Sequence, residues 1–395
     1  MRELILIIQI LLIIMGCISC NNSDKNTIAT RTPSGSGYLI TMDYSKLKAS
    51  QDTLILPLSK FVKNIEIIKL ERSREAMTSV DIVFVSENYI ATHSLTPGVD
   101  CKLFRRSDGK FLGNIGARGR GPFEYYELSD VIIDESKGVF LLPWMSDYIF
   151  QYDFDGKPLK QIPLAFKINK GVFELTRDST FIITVAPFKD MTKAFIWEQD
   201  FEGNIIKSVG AEPFFVHPDF GVELNQWSDD NSLSIFVFTM INELDSIFCY
   251  DKLSGEIYPE FTVDYKDSDF DRDRMYFSIP GYYFGNFIDW ERTPSYTAIH
   301  RDFFYIEKES LNGGYYKILN DFFAYLQIKK PIFRNGYYTG IYYPELLKEE
   351  INSYLRKTAH LENNSEKQEL EKFAAGIRRG DNTIIIIGKL KDLER

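Results

Sequence analysis

The sequence predicts an all-β fold: a six-bladed β-propeller with a small helical insertion in the last blade, its ring closed by strands from the two ends of the chain. Three observations lead there. Aromatic residues make up 15% of the chain, with 31 Phe and 23 Tyr, a composition suited to pleated, half-buried strands rather than helices. A glycine turn returns at a near-constant interval, the mark of a repeat architecture. Two strand-like runs, Phe61 to Leu70 and Thr383 to Leu390, have no partner in their own neighbourhood.

Taken in order, the chain starts with Arg2 and an apolar run from Leu4 to Met15 broken only by Gln9. A stable membrane-spanning helix needs about 20 apolar residues, so this run has the length of a signal-peptide core instead. It ends Ile13-Ile14-Met15-Gly16-Cys17-Ile18-Ser19-Cys20-Asn21-Asn22, which resembles a bacterial lipobox. Cys17 fits with Ile14 at −3 and Gly16 at −1; Cys20, with Cys17 at −3 and Ser19 at −1, is the alternative lipidation site. Residues 1–16 are then a lipoprotein signal peptide and 17–50 a tether and lead-in. Within that lead-in, Asn21 to Gly37, rich in Asn, Ser, Thr and Gly, reads as flexible. The propeller occupies 51–395.

Turn triplets stand at Asp108-Gly109-Lys110, Asp155-Gly156-Lys157, Glu202-Gly203-Asn204 and Ser254-Gly255-Glu256, with glycines 47, 47 and 52 residues apart. Each follows a strand of large residues and precedes another strand, and the glycine supplies the positive φ of a hairpin turn. Upstream in each period lies a second turn, at Ser86-Glu87-Asn88, Glu135-Ser136-Lys137, Arg177-Asp178-Ser179 and Asp229-Asp230-Asn231, flanked by apolar runs. Four strands and three tight connections per period make a propeller blade. The first blade reads as 81–85, 89–93, 102–106 and 110–115, the second as 130–133, 139–143, 148–154 and 159–164, and two more follow to about Tyr265. A β-sandwich would not require the same turn to return.

Past Tyr265 a charged segment from Asp267 to Arg274 precedes strands near 282–290, 296–300 and 303–306, a fifth blade. The β-branched run Thr383 to Leu390 reads as a central strand, and pairing it with Phe61 to Leu70 closes a sixth blade and removes the open edges of an unclosed ring. Between Pro344 and Gly380 the period changes to helical: Leu347, Ile351, Tyr354 and Leu355 share a face, and Ser365-Glu366-Lys367-Gln368 has the form of a capping box before Leu370, Phe373 and Ile377. Two helices are inserted there, at about 344–380.

The formal charge of −10 and the lack of a basic block argue against a nucleic-acid partner. Four cysteines, two of them in the leader, are too few for a disulfide scaffold. The histidines His93, His217, His300 and His360 have no metal-ligand spacing, and no cofactor fingerprint, phosphate loop or nucleophile elbow is present. The acidic run from Asp267 to Asp273 lacks the glycine and terminal glutamate of an EF-hand loop and reads as a solvated segment.

The lipobox, Asp108-Gly109-Lys110, the loop from Ile115-Gly116 to Gly121-Pro122 with Glu124-Tyr125, the near-terminal helices, and Asn382-Thr383-Ile384-Ile385-Ile386-Ile387 with Lys389-Leu390-Lys391 together resemble the six-bladed β-propeller lipoproteins of Gram-negative bacteria, relatives of NHL-repeat proteins. The resemblance covers nearly the whole mature chain. It implies export, a membrane anchor and a propeller, and carries no settled activity. Its motif commonly has a further glycine before Glu-Tyr, where this chain has Phe123.

In a propeller the loops from second to third strand and from one blade to the next share a face. That face gathers His93 to Asp100, Ala117 to Tyr125, Trp144 to Asp147, Pro187 to Lys193 and Met240 to Asp245. Arg118 and Arg120, with Glu124 and Tyr125 beside them, suit an oxyanion, since guanidinium binds carboxylate, phosphate or sulfate in bidentate geometry. The other reading is structural: the glycines shape a crossover while one arginine pairs with Glu124 or caps strand carbonyls. Trp144 suits either sugar stacking or packing, and His93 joins the candidates by its place on this face. The expected function is a non-catalytic, lipid-anchored module of the cell envelope, an outer-membrane lipoprotein facing the periplasm or the surface, that binds a glycan, a peptide or an envelope protein. The alternative is a metal-dependent lactonase- or lyase-like propeller enzyme, with ligands converging on the central channel.

Overall fold

The recurring glycine turns fold the chain into blades because each meets two demands at once. Gly109 and Gly156 have φ of 70° and 78°, and each also presses on the outer strand of the preceding blade. A Cβ at Gly109 would lie 2.2 Å from the Lys69 carbonyl oxygen, and one at Gly156 2.5 Å from that of Asn114. Only glycine serves both the turn and the contact.

The structure is a computed structural model describing residues 27–391 apart from 51–52, 95–98, 220, 241, 267–271, 293–295, 329–330 and 359–364. Six sheets form a six-bladed propeller. Blade one is Ile82–Val85, Tyr89–His93, Lys102–Arg105 and Phe111–Asn114. Blade two is Leu128–Asp134, Gly138–Pro143, Tyr148–Tyr152 and Pro158–Pro163. Blade three is Gly171–Leu175, Phe181–Val185, Ala194–Gln199 and Ile205–Gly210. Blade four is Glu223–Ser228, Ser232–Phe238, Ser246–Asp251 and Ile257–Asp264. In each, strands pair antiparallel in chain order from hub to rim.

Middle strands are covered on both sides by neighbouring blades, so they are apolar on both faces. Gly138–Pro143 and Phe181–Val185 are buried at every position. Rim strands such as Ile205–Gly210 alternate between exposed and half-buried.

Blade six closes the ring as the sequence predicts. Its strands run Ile332–Arg334, Tyr337–Tyr342, Ile384–Leu390 and, at the rim, Val62–Lys69, with Ile385 opposite Ile68 and Ile386 opposite Ile67. The helices Pro344–Lys357 and Ser365–Ala375 lie between the second and third of these strands and bury Leu347, Ile351, Leu370 and Ala374.

Two stretches differ from the sequence reading. Residues 21–37 read as a flexible tether, yet Ala29–Ser34 and Gly37–Asp43 form a hairpin whose second strand pairs in parallel with the rim of blade four, Ile40 opposite Phe261 and Met42 opposite Val263. The polar composition concealed an alternation in which Ile40 and Met42 are buried, and the edge they cover is more than 200 residues away. A short helix, Tyr44–Ala49, capped by Asp43, leads to Thr53–Pro57, which extends the rim of blade five in parallel. In blade five itself the inner strand is Asp273–Ile279, which begins at the end of the segment read as charged, Asp267 to Arg274, and runs on through residues to which no strand was assigned. Its third strand, Tyr296–Glu307, runs continuously through Asp302, whose φ of 52° separates the two runs read as distinct strands. The blade is completed by Tyr282–Arg292 and Gly313–Asn320. Cys17, Cys20 and the acidic residues 267–271 lie outside the described residues.

Candidate functional site

The glycine-arginine loop joins blade one to blade two, and its side chains are turned largely on the loop itself. Arg118 donates to both carboxylate oxygens of Glu127, at 3.1 and 3.3 Å, and to the Val99 carbonyl, at 3.1 and 3.2 Å. Glu124 accepts from the Gly121 backbone N–H at 2.7 Å, and its carboxylate fills the space where a Cβ at Gly119 would stand, 1.9 Å away. Gly119 is glycine because this carboxylate needs its place. Tyr125 is buried; its hydroxyl accepts from the Cys101 N–H at 2.9 Å and lies 3.4 Å from the Ile115 carbonyl oxygen. Burial pushes its ionisation well above the usual tyrosine range.

Phe123 occupies the position where the resembling propellers carry glycine, and its φ is 62°. The backbone keeps the glycine conformation without the glycine. The strain is held by the ring, 5.7 Å from that of Phe150 and 6.1 Å from that of Tyr152, and by the Tyr152 hydroxyl, which donates to the Phe123 carbonyl at 2.5 Å. Arg120 is exposed and makes no ion pair among the described residues. His93 is fully buried in the second strand of blade one, where burial and then the Arg118 guanidinium lower its pKa to about 4, so the ring is neutral near pH 7. The loop brings Arg118, Glu124 and Tyr125 together as one latch; Trp144 donates its backbone N–H to the Glu127 carbonyl at 2.9 Å and lines the channel.

The hub encloses a central cavity of about 2400 Å³ lined by the inner strands of all six blades. Several of its charged groups are paired between blades. Arg334 of blade six grips Asp130 of blade two with both terminal nitrogens at 2.7 Å, while its guanidinium lies over the Phe84 ring of blade one. Lys170, just before blade three, donates to Glu223 of blade four at 2.8 Å and stands 5.3 Å from the centre of the Trp144 ring. Lys252 of blade four meets Glu174 of blade three at 2.7 Å. Lys308 of blade five donates to Ser278 at 2.8 Å, and burial lowers its pKa. No three acidic, histidine or cysteine side chains among the described residues are grouped as a metal would need.

Of the candidate ligand-binding residues Arg118, Arg120, Glu124, Tyr125, His93 and Trp144, the one in the lining of this cavity is Trp144. Lys170, Glu223, Asp130, Arg334 and the polar run Asn225-Gln226-Trp227 escaped notice. A signal was available for the last: these residues directly precede the inner turn at Asp229-Asp230-Asn231, which makes them an inner strand, and polar amides are out of keeping with so enclosed a place.

The profile of a domain of unknown function, DUF4934, matches residues 40–389. No protein of curated function matches the sequence significantly. Among solved structures, a protein from Bacteroides fragilis whose export is inferred is 13% identical and superimposes with a TM-score of 0.54, over 86% of this chain and 100% of its own. A member of the DUF4221 family from Bacteroides vulgatus is 12% identical, with a TM-score of 0.44 over 84% of this chain and 97% of its own. Likeness at these identities concerns the fold.

Proposed function

Starting from the premise that the chain belongs to the DUF4934 family, we propose that it is a lipid-anchored propeller of the cell envelope that holds a ligand in its central channel without transforming it. The observation that carries this reading is the channel itself. A cavity of about 2400 Å³ exceeds the roughly 300–1,000 Å³ of a typical small-molecule pocket, and suits an extended ligand. Its cations Arg334, Lys170 and Lys252 stand against carboxylates, an arrangement that fixes polar groups in place rather than poising one for attack. The kinship to NHL-repeat lipoproteins and the placement at the outer membrane belong to the same proposal, supported by the leader and by the inferred export of the Bacteroides fragilis protein.

Two measurements test it. Palmitate labelling in the native host is expected to mark the wild-type chain and Cys20→Ala but not Cys17→Ala; an unlabelled wild type would remove the anchor. Purified protein incubated with candidate ligands is expected to return them unchanged. Steady-state opening of a lactone, or elimination from a substrate, dependent on an added divalent cation would replace binding with the enzyme reading.

A further inference from the structure

We propose that the channel wall formed by the inner strand of blade four, together with Trp144 and Lys170, is a subsite for a neutral saccharide. This rests on the proposal that the channel binds a ligand, and names the ligand's class.

Inner strands elsewhere in the ring are largely aliphatic or aromatic at the hub, as in Ile82-Val83-Phe84-Val85. Blade four instead presents Glu223-Leu224-Asn225-Gln226-Trp227-Ser228, half-buried at every position but the last. All six residues line the cavity. Strand alternation puts Glu223, Asn225 and Trp227 on one side in steps of about 7 Å, and Gln226 on the other.

The two amides are the telling residues. Neither side chain of Asn225 or Gln226 has a hydrogen-bond partner among the described residues, and the Asn225 Nδ2 and Gln226 Oε1 atoms are buried. What they turn to the channel is the Asn225 oxygen and the Gln226 amino group, one acceptor and two donors. Enclosed amides left unpaired are costly, at about 1–3 kcal/mol each, so a hub strand that carries two adjacent ones is shaped for a ligand that supplies both donors and acceptors. Hydroxyl groups do this, each giving one hydrogen and accepting at its lone pairs.

The remaining parts agree. Trp144 and Trp227 provide aromatic faces of the kind that cover the C–H face of a sugar ring; Glu223 and Lys170 are held as a neutral pair, and the Lys308 ammonium, 5.9 Å from the centre of the Trp227 ring, is turned onto Ser278. A peptide strand would seek alternating apolar pockets. Leu224 is the only aliphatic side chain in the run.

The test presents full-length mature protein to an array of neutral and acidic oligosaccharides and, in parallel, to a peptide library, followed by titration calorimetry of the strongest binder from each. Capture of neutral oligosaccharides is expected, with Asn225→Ala and Gln226→Ala each weakening binding at least tenfold and Trp144→Ala doing the same. The Tm of the two amide variants is expected to stay level or rise, because no protein hydrogen bond is lost, which separates lost binding from lost folding. Oligosaccharide binding that survives all three substitutions overturns the subsite. Capture of peptides alone overturns the saccharide but leaves the channel as a binding site, whereas silence in both libraries defeats the channel-binding reading as well.

Discussion

Arg334 and Asp130, 204 residues apart in the chain, form a two-pronged ion pair with both contacts at 2.7 Å, tying blade six to blade two over the inner strand of blade one. Asp130 is 2% exposed and also accepts from the backbone N–H groups of Val131, at 2.8 Å, and Phe173, at 3.2 Å. Its partner is a quarter exposed. Loss of either side therefore has unequal effects.

Arg334→Ala leaves a buried carboxylate without its cation and is expected to lower stability by about 3 kcal/mol. Asp130→Asn leaves an arginine that water can reach, but its single oxygen can serve only one of the two N–H groups, which bond different carboxylate oxygens; it is expected to cost about 1–2 kcal/mol. Urea midpoints at unchanged slope check the order.

At Phe123 the strained backbone and the packed ring pull in opposite directions. Phe123→Ala loses the ring contacts and keeps the positive φ; Phe123→Gly loses the same contacts but relieves the backbone. Both variants are expected to be less stable than the wild type, with glycine above alanine by about 1 kcal/mol. Equal stabilities would mean that the φ of 62° carries no strain.

The two arginines of the glycine loop separate cleanly. Arg118→Ala strands Glu127 and the Val99 carbonyl, both partly buried, and is expected to cost about 2 kcal/mol. Arg120→Ala, on an exposed side chain, is expected to stay within about 0.5 kcal/mol of the wild type. Thermal unfolding of the pair distinguishes the latch from the free hand.

Acid stability carries two opposed contributions. His93 has its pKa lowered by burial to about 4 from 6.5, so the unfolded chain binds the proton more readily and the stability His93 contributes above pH 6.5 is lost as pH falls through 4. Asp245 beside Arg274 has its pKa raised by burial from 3.8 to about 6, against the pull of the arginine; its contribution is present below pH 3.8 and lost as pH rises through 6. His93→Gln is expected to flatten the loss of stability between pH 6.5 and 4, worth on the order of 3 kcal/mol for this group. Asp245→Asn is expected to remove the opposing decline and so steepen the net fall toward acid. Denaturation curves at half-unit pH steps resolve the two.

The blades were legible because Gly109 and its equivalents answer local demands, a turn and a close contact, that recur in sequence. The closing strand was legible because Ile384–Ile387 is apolar on both faces, which requires cover on both. The channel was not, because its character comes from pairs such as Arg334 with Asp130 and Lys170 with Glu223, whose members sit in different blades and carry no local signature. The hairpin at 29–43 was missed for a related reason: its strands are specified by an edge made elsewhere. The glycine loop left two readings open, an oxyanion contact and a structural crossover, because the partners that hold Arg118, Glu127 and the Val99 carbonyl, lie outside the loop itself.

The strands at Gly37–Asp43, Thr53–Pro57 and Val62–Lys69 complete the rims of blades four, five and six in turn. These segments precede in the chain the blades whose rims they complete, and so wait longest for their partners, since blades four to six run from residue 223 to 390. During synthesis and any passage across a membrane, three apolar strands must wait unpaired for most of the chain to follow. Long-range pairing of this kind slows folding and leaves intermediates open to misassembly. A chain shortened after blade three would lose half its ring and strand these segments as well, so the propeller assembles late and as a whole rather than blade by blade.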